Sequence, residues 1–404
     1  MAKLGGDTLA AAAGAVEQTH QAIARRVFSA IGPSAEPARR THDAIASLSY
    51  RTIARGARIG GEAAAAALQF NGRGARALSA RPRGRIAGSL INGWLGDRLD
   101  AAASPLAIEM ALIRDGVEVE LSAAAVAAAY PLAGPRIAIF LHGLVESELI
   151  WEPRGGLGEG RFGQRLASEH GLDEVLIRYN SGLHISDNGE RFGTLLERLC
   201  AAWPVAVEEI TIVGHSMGGL LARSALHQSE TASEVARWDW PRLTRRIFYL
   251  GSPHHGAPLE RFANAGARAL SAIAETRALG TLIDSRSVGI KDLRFGNLLE
   301  GDWRGHDPDE LLVDHRPHRD QAVGPDYYFI AATITRSHRH PAARLFGDLL
   351  VQTPSAWAAG THGADEGRYP AGQTRHFGSR NHFALTTDAE VYTQISDWIA
   401  AASN

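Results

Sequence analysis

Residues 209–226 read Glu209-Ile210-Thr211-Ile212-Val213-Gly214-His215-Ser216-Met217-Gly218-Gly219-Leu220-Leu221-Ala222-Arg223-Ser224-Ala225-Leu226. A short, β-branched apolar run passes within five residues into a run with helical spacing, and Gly214-His215-Ser216-Met217-Gly218 occupies the junction. The G-x-S-x-G pattern alone is weak: with 43 glycines in 404 residues it arises by chance in roughly one such chain in four. Its placement carries the weight. A turn this tight between strand and helix forces its central residue into strained backbone angles, and Gly214 and Gly218 let neighbouring chain approach closely. The Ser216 hydroxyl is then expected to project beyond the sheet at a helix N-terminus, where the Met217 amide can stabilise negative charge. The bland reading is a glycine-rich turn without chemistry.

Outward from this turn, further short apolar runs follow the same rhythm: Ile137 to Leu141, Val175 to Ile177, Ile247 to Leu250 and Tyr327 to Ile330, several roughly 30 to 40 positions apart, with helix-like segments between them. Continuous apolar strands separated by helices predict a mostly parallel sheet covered on both faces. Ala107 to Ile113 and Val117 to Leu121 flank Arg114-Asp115-Gly116, a hairpin signal that makes the sheet mixed. No internal repeat is present. The first hundred residues differ: they are rich in Ala, Arg and Gly and nearly free of strand signals. Leu9, Val16, Ile23, Val27 and Ile31 form a thin helical stripe, with Asp7 or Thr8 available as a cap. Residues 1–105 are therefore expected to form a helical region supporting the main domain, and residues 106–404 the main domain itself.

Composition bounds the rest. Hydrophobic residues make up 45% and charged residues 21% of the chain, proportions of a globular protein with a large core. Lys and Arg number 42 against 44 Asp and Glu, a formal charge of −2, so nothing points to nucleic acid. Lysine occurs only at Lys3 and Lys291. The one cysteine, Cys200, forbids an internal disulfide and fits a reducing compartment. The apolar runs are Ala-heavy and interrupted by Arg, Glu or Gly, and the N-terminus lacks the apolar core of a secretion signal. The expectation is a cytoplasmic protein without a membrane span. The N-terminal helices are the candidate surface for peripheral membrane contact or self-association.

The Ser216 turn and its flanks resemble the nucleophile elbow of α/β-hydrolases, particularly the bacterial lipase/esterase branch that is also similar to GPI inositol-deacylases. The resemblance covers about residues 107–404 and implies a serine ester hydrolase. Phe140-Leu141-His142-Gly143-Leu144 looks like that branch's His-Gly motif, which implies that the Leu144 amide joins that of Met217 in an oxyanion hole. His142 as general base is the rival reading, but the family's chain order places the base last. His382, in Ser379-Arg380-Asn381-His382-Phe383-Ala384-Leu385 before the terminal helix-like segment, fits that position; His376, inside the expected last strand Thr374 to Phe377, is the rival. Gly347-Asp348-Leu349-Leu350-Val351 looks like the acid loop and gives the order Ser, Asp, His. Asp326 stands at the wrong end of its strand, and Asp365 is a poorer rival.

Gly251-Ser252-Pro253-His254-His255-Gly256 also resembles a segment of that branch. Its adjacent histidines point apart on an extended chain and have no carboxylate or cysteine at ligand spacing, so a pocket-lining loop is expected and no metal or cofactor. His315 to His318 and His338-Arg339-His340 read as solvated surface. About seventy residues separate the sixth strand from Tyr327, too many for an unstructured connection. Leu259, Phe262, Ala263, Leu270 and Ile273 share a helical face there, and the resemblance places a lid within about residues 257–325. His142, Gly143, His215 and Phe262 are the expected substrate-contacting positions. The expected substrate is a small-molecule or lipid ester. A thioester, amide or polyester hydrolase, and a non-catalytic binding protein on the same fold, stand as alternatives.

Overall fold

The computed structural model describes residues 81–402 except 154–159, 232–237, 258–285, 308–313, 315–316, 318, 341–346, 349 and 359–370. Before residue 81 it describes only isolated positions, all helical. The apolar stripe from Leu9 to Ile31 lies outside the described residues, as does the face from Leu259 to Ile273 that contains Phe262.

Eight strands form one sheet: β1 (Ala111–Arg114), β2 (Val117–Val119), β3 (Arg136–Leu141), β4 (Asp173–Arg178), β5 (Glu209–His215), β6 (Thr244–Leu250), β7 (Asp326–Thr333) and β8 (Thr374–Gly378). Their order is β2-β1-β4-β3-β5-β6-β7-β8. The hairpin pairs antiparallel with β4, and every pairing from β4 to β8 is parallel. Asp115 and Gly116 have φ of 48° and 77°, the two left-handed positions of the tight turn that Asp-Gly favours. The long helices are α1 (Pro82–Ala101), α2 (Ala123–Ala129), α3 (Phe162–His170), α4 (Ile185–Ala202), α5 (Met217–Thr231) and α6 (Ala389–Ala401).

Side chains alternate across a strand, so each apolar run feeds two cores. Ile137, Ile139 and Leu141 pack with Ile210 and Ile212 against α2, α4 and α5. Ala138 and Phe140 pack with Val213 and Phe248 on the opposite face, against α3 and α6. Burial on both faces explains why these strands are apolar throughout rather than at every second position.

Helix α1 begins with Pro82 at its first turn and buries small and polar residues: Ala87, Ser89, Asn92, Gly93 and Gly96 among them. It is fixed by directional bonds rather than an apolar stripe. The Asn92 amide donates to Leu106 O and accepts from Ile108 N. Asn180 Nδ2 donates to Gly96 O, and Ser287 Oγ to Gly93 O. Arg85 reaches Gly116 O and Glu148.

Candidate active site

All parallel strands end at one edge, which therefore collects the loops that follow them. There Ser216, between β5 and α5, has φ of 53°, a left-handed conformation that costs a non-glycine residue roughly 1–2 kcal/mol. The surroundings enforce it. A Cβ on Gly214 would lie 2.6 Å from Gly219 Cα, and one on Gly218 would lie 2.5 Å from His142 O. Both glycines sit where the sequence predicts close approach. The Ser216 amide donates to Leu250 O at the end of β6.

The candidate base follows β8. His382 starts a short turn capped by the Asn381 side chain, which accepts from Ala384 N. Its Nδ1 lies 2.7 Å from Asp348 Oδ2, and both side chains are at least 98% buried. Asp348 follows β7 and is clamped by its own loop: Oδ1 accepts from Leu350 N and Val351 N, and Asp348 O accepts from His382 N. Burial by itself would lower the His382 pKa; the Asp348 carboxylate outweighs burial and holds it above the ordinary histidine value. His382 Nε2 is buried and has no hydrogen-bond partner among the described residues. The ring lies over Gly251, next to the carbonyl that holds Ser216 N. The His382 ring lies 4.6 Å, centroid to centroid, from that of His215, the residue before Ser216, and a nitrogen fixed as an acceptor by the Nδ1 bond can take a proton from a hydroxyl brought to it.

The candidate oxyanion loop follows β3. His142 is fully buried and stacked on Tyr179, ring centroids 4.2 Å apart. Its Nδ1 donates to Gly143 O and its Nε2 accepts from Tyr179 N. Burial lowers its pKa, consistent with the neutral tautomer those partners require. Carbonyl and N–H point oppositely across a trans peptide, so holding Gly143 O turns the Leu144 N–H away from His142. Among the described residues neither Leu144 N nor Met217 N donates a hydrogen bond. Val145 has φ of 56° and donates its N–H to Ser181 Oγ.

Two expected substrate contacts need correction. His142 and His215 are fully buried with both ring nitrogens engaged, so they stand behind the site rather than on its surface; His142 is thereby also excluded as the base. Gly143 does face the nucleophile, since a Cβ there would lie 2.9 Å from Ser216 Cβ. His376 bonds Thr333 Oγ1 from within β8, and burial followed by the nearby His338 lowers its pKa to about 4. Asp326 opens β7 at the far edge, and Asp365 lies outside the described residues. His254 is fully buried against Tyr249 and Phe329, with Nδ1 toward Arg223. Burial drives its pKa well down. Sequence reasoning missed Glu146: its Oε2 accepts from Gly143 N at 2.6 Å and lies 2.9 Å from His215 Nδ1. The available signal was a carboxylate five residues past the end of the oxyanion strand.

A family profile described as the PGAP1-like alpha/beta domain matches residues 197–292, the stretch containing the serine elbow. No match is found among curated protein sequences. Similar solved structures include a Bacillus licheniformis lipase in its mature form, with 16% identity, 65% of this chain and 91% of that one covered, and a TM-score of 0.41. An esterase B of Lactobacillus rhamnosis, inhibited by a tributyrin phosphonate, has 13% identity, 67% and 77% coverage and a TM-score of 0.34. An esterase of Pyrococcus furiosus has 13% identity, 67% and 81% coverage and a TM-score of 0.34.

Proposed function

We propose that the chain is an α/β-hydrolase, a reading supported by its sheet order and by the PGAP1-like profile over residues 197–292, and that it is a serine carboxylic-ester hydrolase working through an acyl-enzyme. His382 Nε2 takes the Ser216 proton as Oγ attacks the ester carbonyl, and Asp348 orients and charge-balances the resulting imidazolium. The amides of Leu144 and Met217 hold the tetrahedral oxyanion. His382 then protonates the leaving alcohol, and the same ring activates the water that cleaves the acyl-enzyme. The observation that carries this reading is the His382 ring: locked to Asp348 on one side, it leaves its other nitrogen buried and open beside the strained Ser216 turn.

A fluorophosphonate probe should label the protein at Ser216, and Ser216→Ala should abolish both labelling and p-nitrophenyl butyrate hydrolysis. Retention of activity within about tenfold refutes the mechanism, because removing such a nucleophile costs on the order of a million-fold. Absence of both labelling and hydrolysis in the parent protein would favour a binding protein on this fold. The residues proposed for chemistry do not choose the leaving group, so matched ester, thioester, amide and polyester substrates are to be compared. We place the enzyme in the cytoplasm, acting on a small-molecule or lipid ester without a cofactor; no helix among the described residues is long and apolar enough to cross a membrane. In this reading residues 1–105 are the helical N-terminal region and residues 106–404 the catalytic domain. Within the latter, 257–325 cover the acyl pocket, with Phe262 lining it. Polar substitution of Phe262 should then change acyl-chain preference while a short ester is still cleaved. Liposome flotation with and without the N-terminal helices tests peripheral membrane contact.

A further inference from the structure

His215, the variable residue of the elbow ahead of Ser216, is completely buried. Its Nδ1 faces Glu146 Oε2 at 2.9 Å and its Nε2 faces the main-chain oxygen of His382 at 3.2 Å. Neither partner has a proton to give: a carbonyl oxygen only accepts, and Glu146, held below the ordinary glutamate value, is a carboxylate that accepts from Gly143 N as well. Both bonds are made together only if both ring nitrogens donate, which is the imidazolium form. Glu146, its side chain 7% exposed, is then the counter-ion. Burial alone would raise the Glu146 pKa; the His215 ring, with smaller help from His382 and Gly143 N, carries it below the ordinary glutamate value. A buried pair in which both ring nitrogens are engaged and Glu146 Oε2 is shared between the ring and Gly143 N is held to one geometry.

This pair touches the three parts of the site that different strands deliver. Glu146 grips the oxyanion loop at Gly143, His215 ends the nucleophile strand, and the His215 ring holds the backbone of the base. Resting on the hydrolase reading above, we propose that Glu146 and His215 form a carboxylate–imidazolium brace that fixes the oxyanion loop relative to His382, both acting as positioning residues for hydrolysis at Ser216. The brace also supplies charge balance. When His382 takes a proton, a second cation appears with its ring centroid 4.6 Å from that of His215, and the two nearby carboxylates, Glu146 and Asp348, offset the two rings.

The test uses the full-length protein. In Glu146→Gln the shape is kept but the counter-ion is lost. kcat and the rate of fluorophosphonate labelling should fall together, by on the order of 10- to 100-fold, with KM changed less than about threefold, because a displaced loop acts on the transition state. The groups facing His382 are Asp348 from the loop after β7, Glu146 from the loop after β3 and His215 from β5; Phe383 on its own turn is uncharged. Glu146 favours protonated His382, so the acidic limb of kcat/KM should move to lower pH in Glu146→Gln and return toward the parent position in Glu146→Asp. A role in stability alone would lower the melting temperature without moving that limb. If Glu146→Gln does not fold, nitrogen NMR of histidine in the unmodified protein decides: both His215 ring nitrogens should be protonated at pH 7. Neutral His215 there, or a Glu146→Gln enzyme with parental kcat and limb, overturns the brace. Failure of the parent protein to label at all sinks the hydrolase reading instead, and the ring-nitrogen spectrum then judges the brace by itself.

Discussion

Replacing Gly93 by alanine tests how far the proposed oxyanion hole depends on α1. An ideal Cβ at Gly93 would sit 2.3 Å from Val145 Cγ1 and 3.0 Å from Val145 Cα. Unstrained carbon contacts begin near 3.5 Å, so side chain and loop together must retreat by roughly 1 Å. Val145 is already in a left-handed conformation and directly follows Leu144, whose amide is the proposed donor. A shift of about 1 Å at a reacting centre can cost a hundredfold, and loss of one oxyanion donor costs about 100- to 1,000-fold, or roughly 3–4 kcal/mol. We expect kcat to fall about 30- to 300-fold with KM within about threefold. Stability supplies a second reading of opposite sign. In an unhindered helix interior, Gly→Ala stabilises by up to about 1 kcal/mol; overpacking costs about 1–3 kcal/mol. Gly93→Ala should thus melt at or below the parent temperature. Steady-state hydrolysis of p-nitrophenyl butyrate and a thermal melt measure both. An enzyme of parental kcat and raised melting point would refute the contact as a determinant of the site.

Ser216→Gly should be inactive yet more stable than the parent by roughly 1 kcal/mol, because glycine accepts a φ of 53° without the left-handed penalty; chemical denaturation checks the sign. The acidic limb of kcat/KM should lie above the ordinary histidine value of about 6.5. Below it His382 is protonated and cannot accept the serine proton, and its raised pKa places that loss at higher pH than for a free imidazole. Asp348→Asn removes what offsets burial, so the limb should move down while kcat drops on the order of ten-thousand-fold; a pH–rate profile reads both. Glu148, almost fully buried, takes two bonds from Arg178 and one from Arg85. Glu148→Leu leaves those guanidiniums unpaired and should destabilise by about 3–5 kcal/mol, measured in urea.

The parallel sheet was legible because strands covered on both faces are written as unbroken apolar runs, and Ile137 to Leu141 and Ile210 to Val213 are such runs. Asp115-Gly116 marked the hairpin for a local reason, its two positive φ angles. Periodicity could not say which hairpin strand would join β4: it is β1, with β2 at the sheet edge. Helix α1 escaped a search for apolar stripes because Ser89, Asn92, Gly93 and Gly96 bury a face without large apolar side chains. His142 and His215 were legible as belonging to the site but not as lying behind it. Each is held by a group distant in sequence, Tyr179 N for His142 and Glu146 with His382 O for His215, a relation with no signature in local spacing. Glu146 was invisible for the same reason: its partners, Gly143 and His215, meet only once β3 and β5 pair in register.

The small-residue face of α1 has a bearing on how this chain could be recombined. A chimera that borrows residues 107–404 as a self-sufficient body would strip Gly96 O from Asn180 and Gly93 O from Ser287, and would leave Val145 without the notch into which it packs. From Pro82 onward the helix is bonded to the sheet domain through Asn92, Gly93 and Gly96. A transplanted loop must therefore bring α1 with it, and any new Cβ at position 93 calls for a smaller residue at 145.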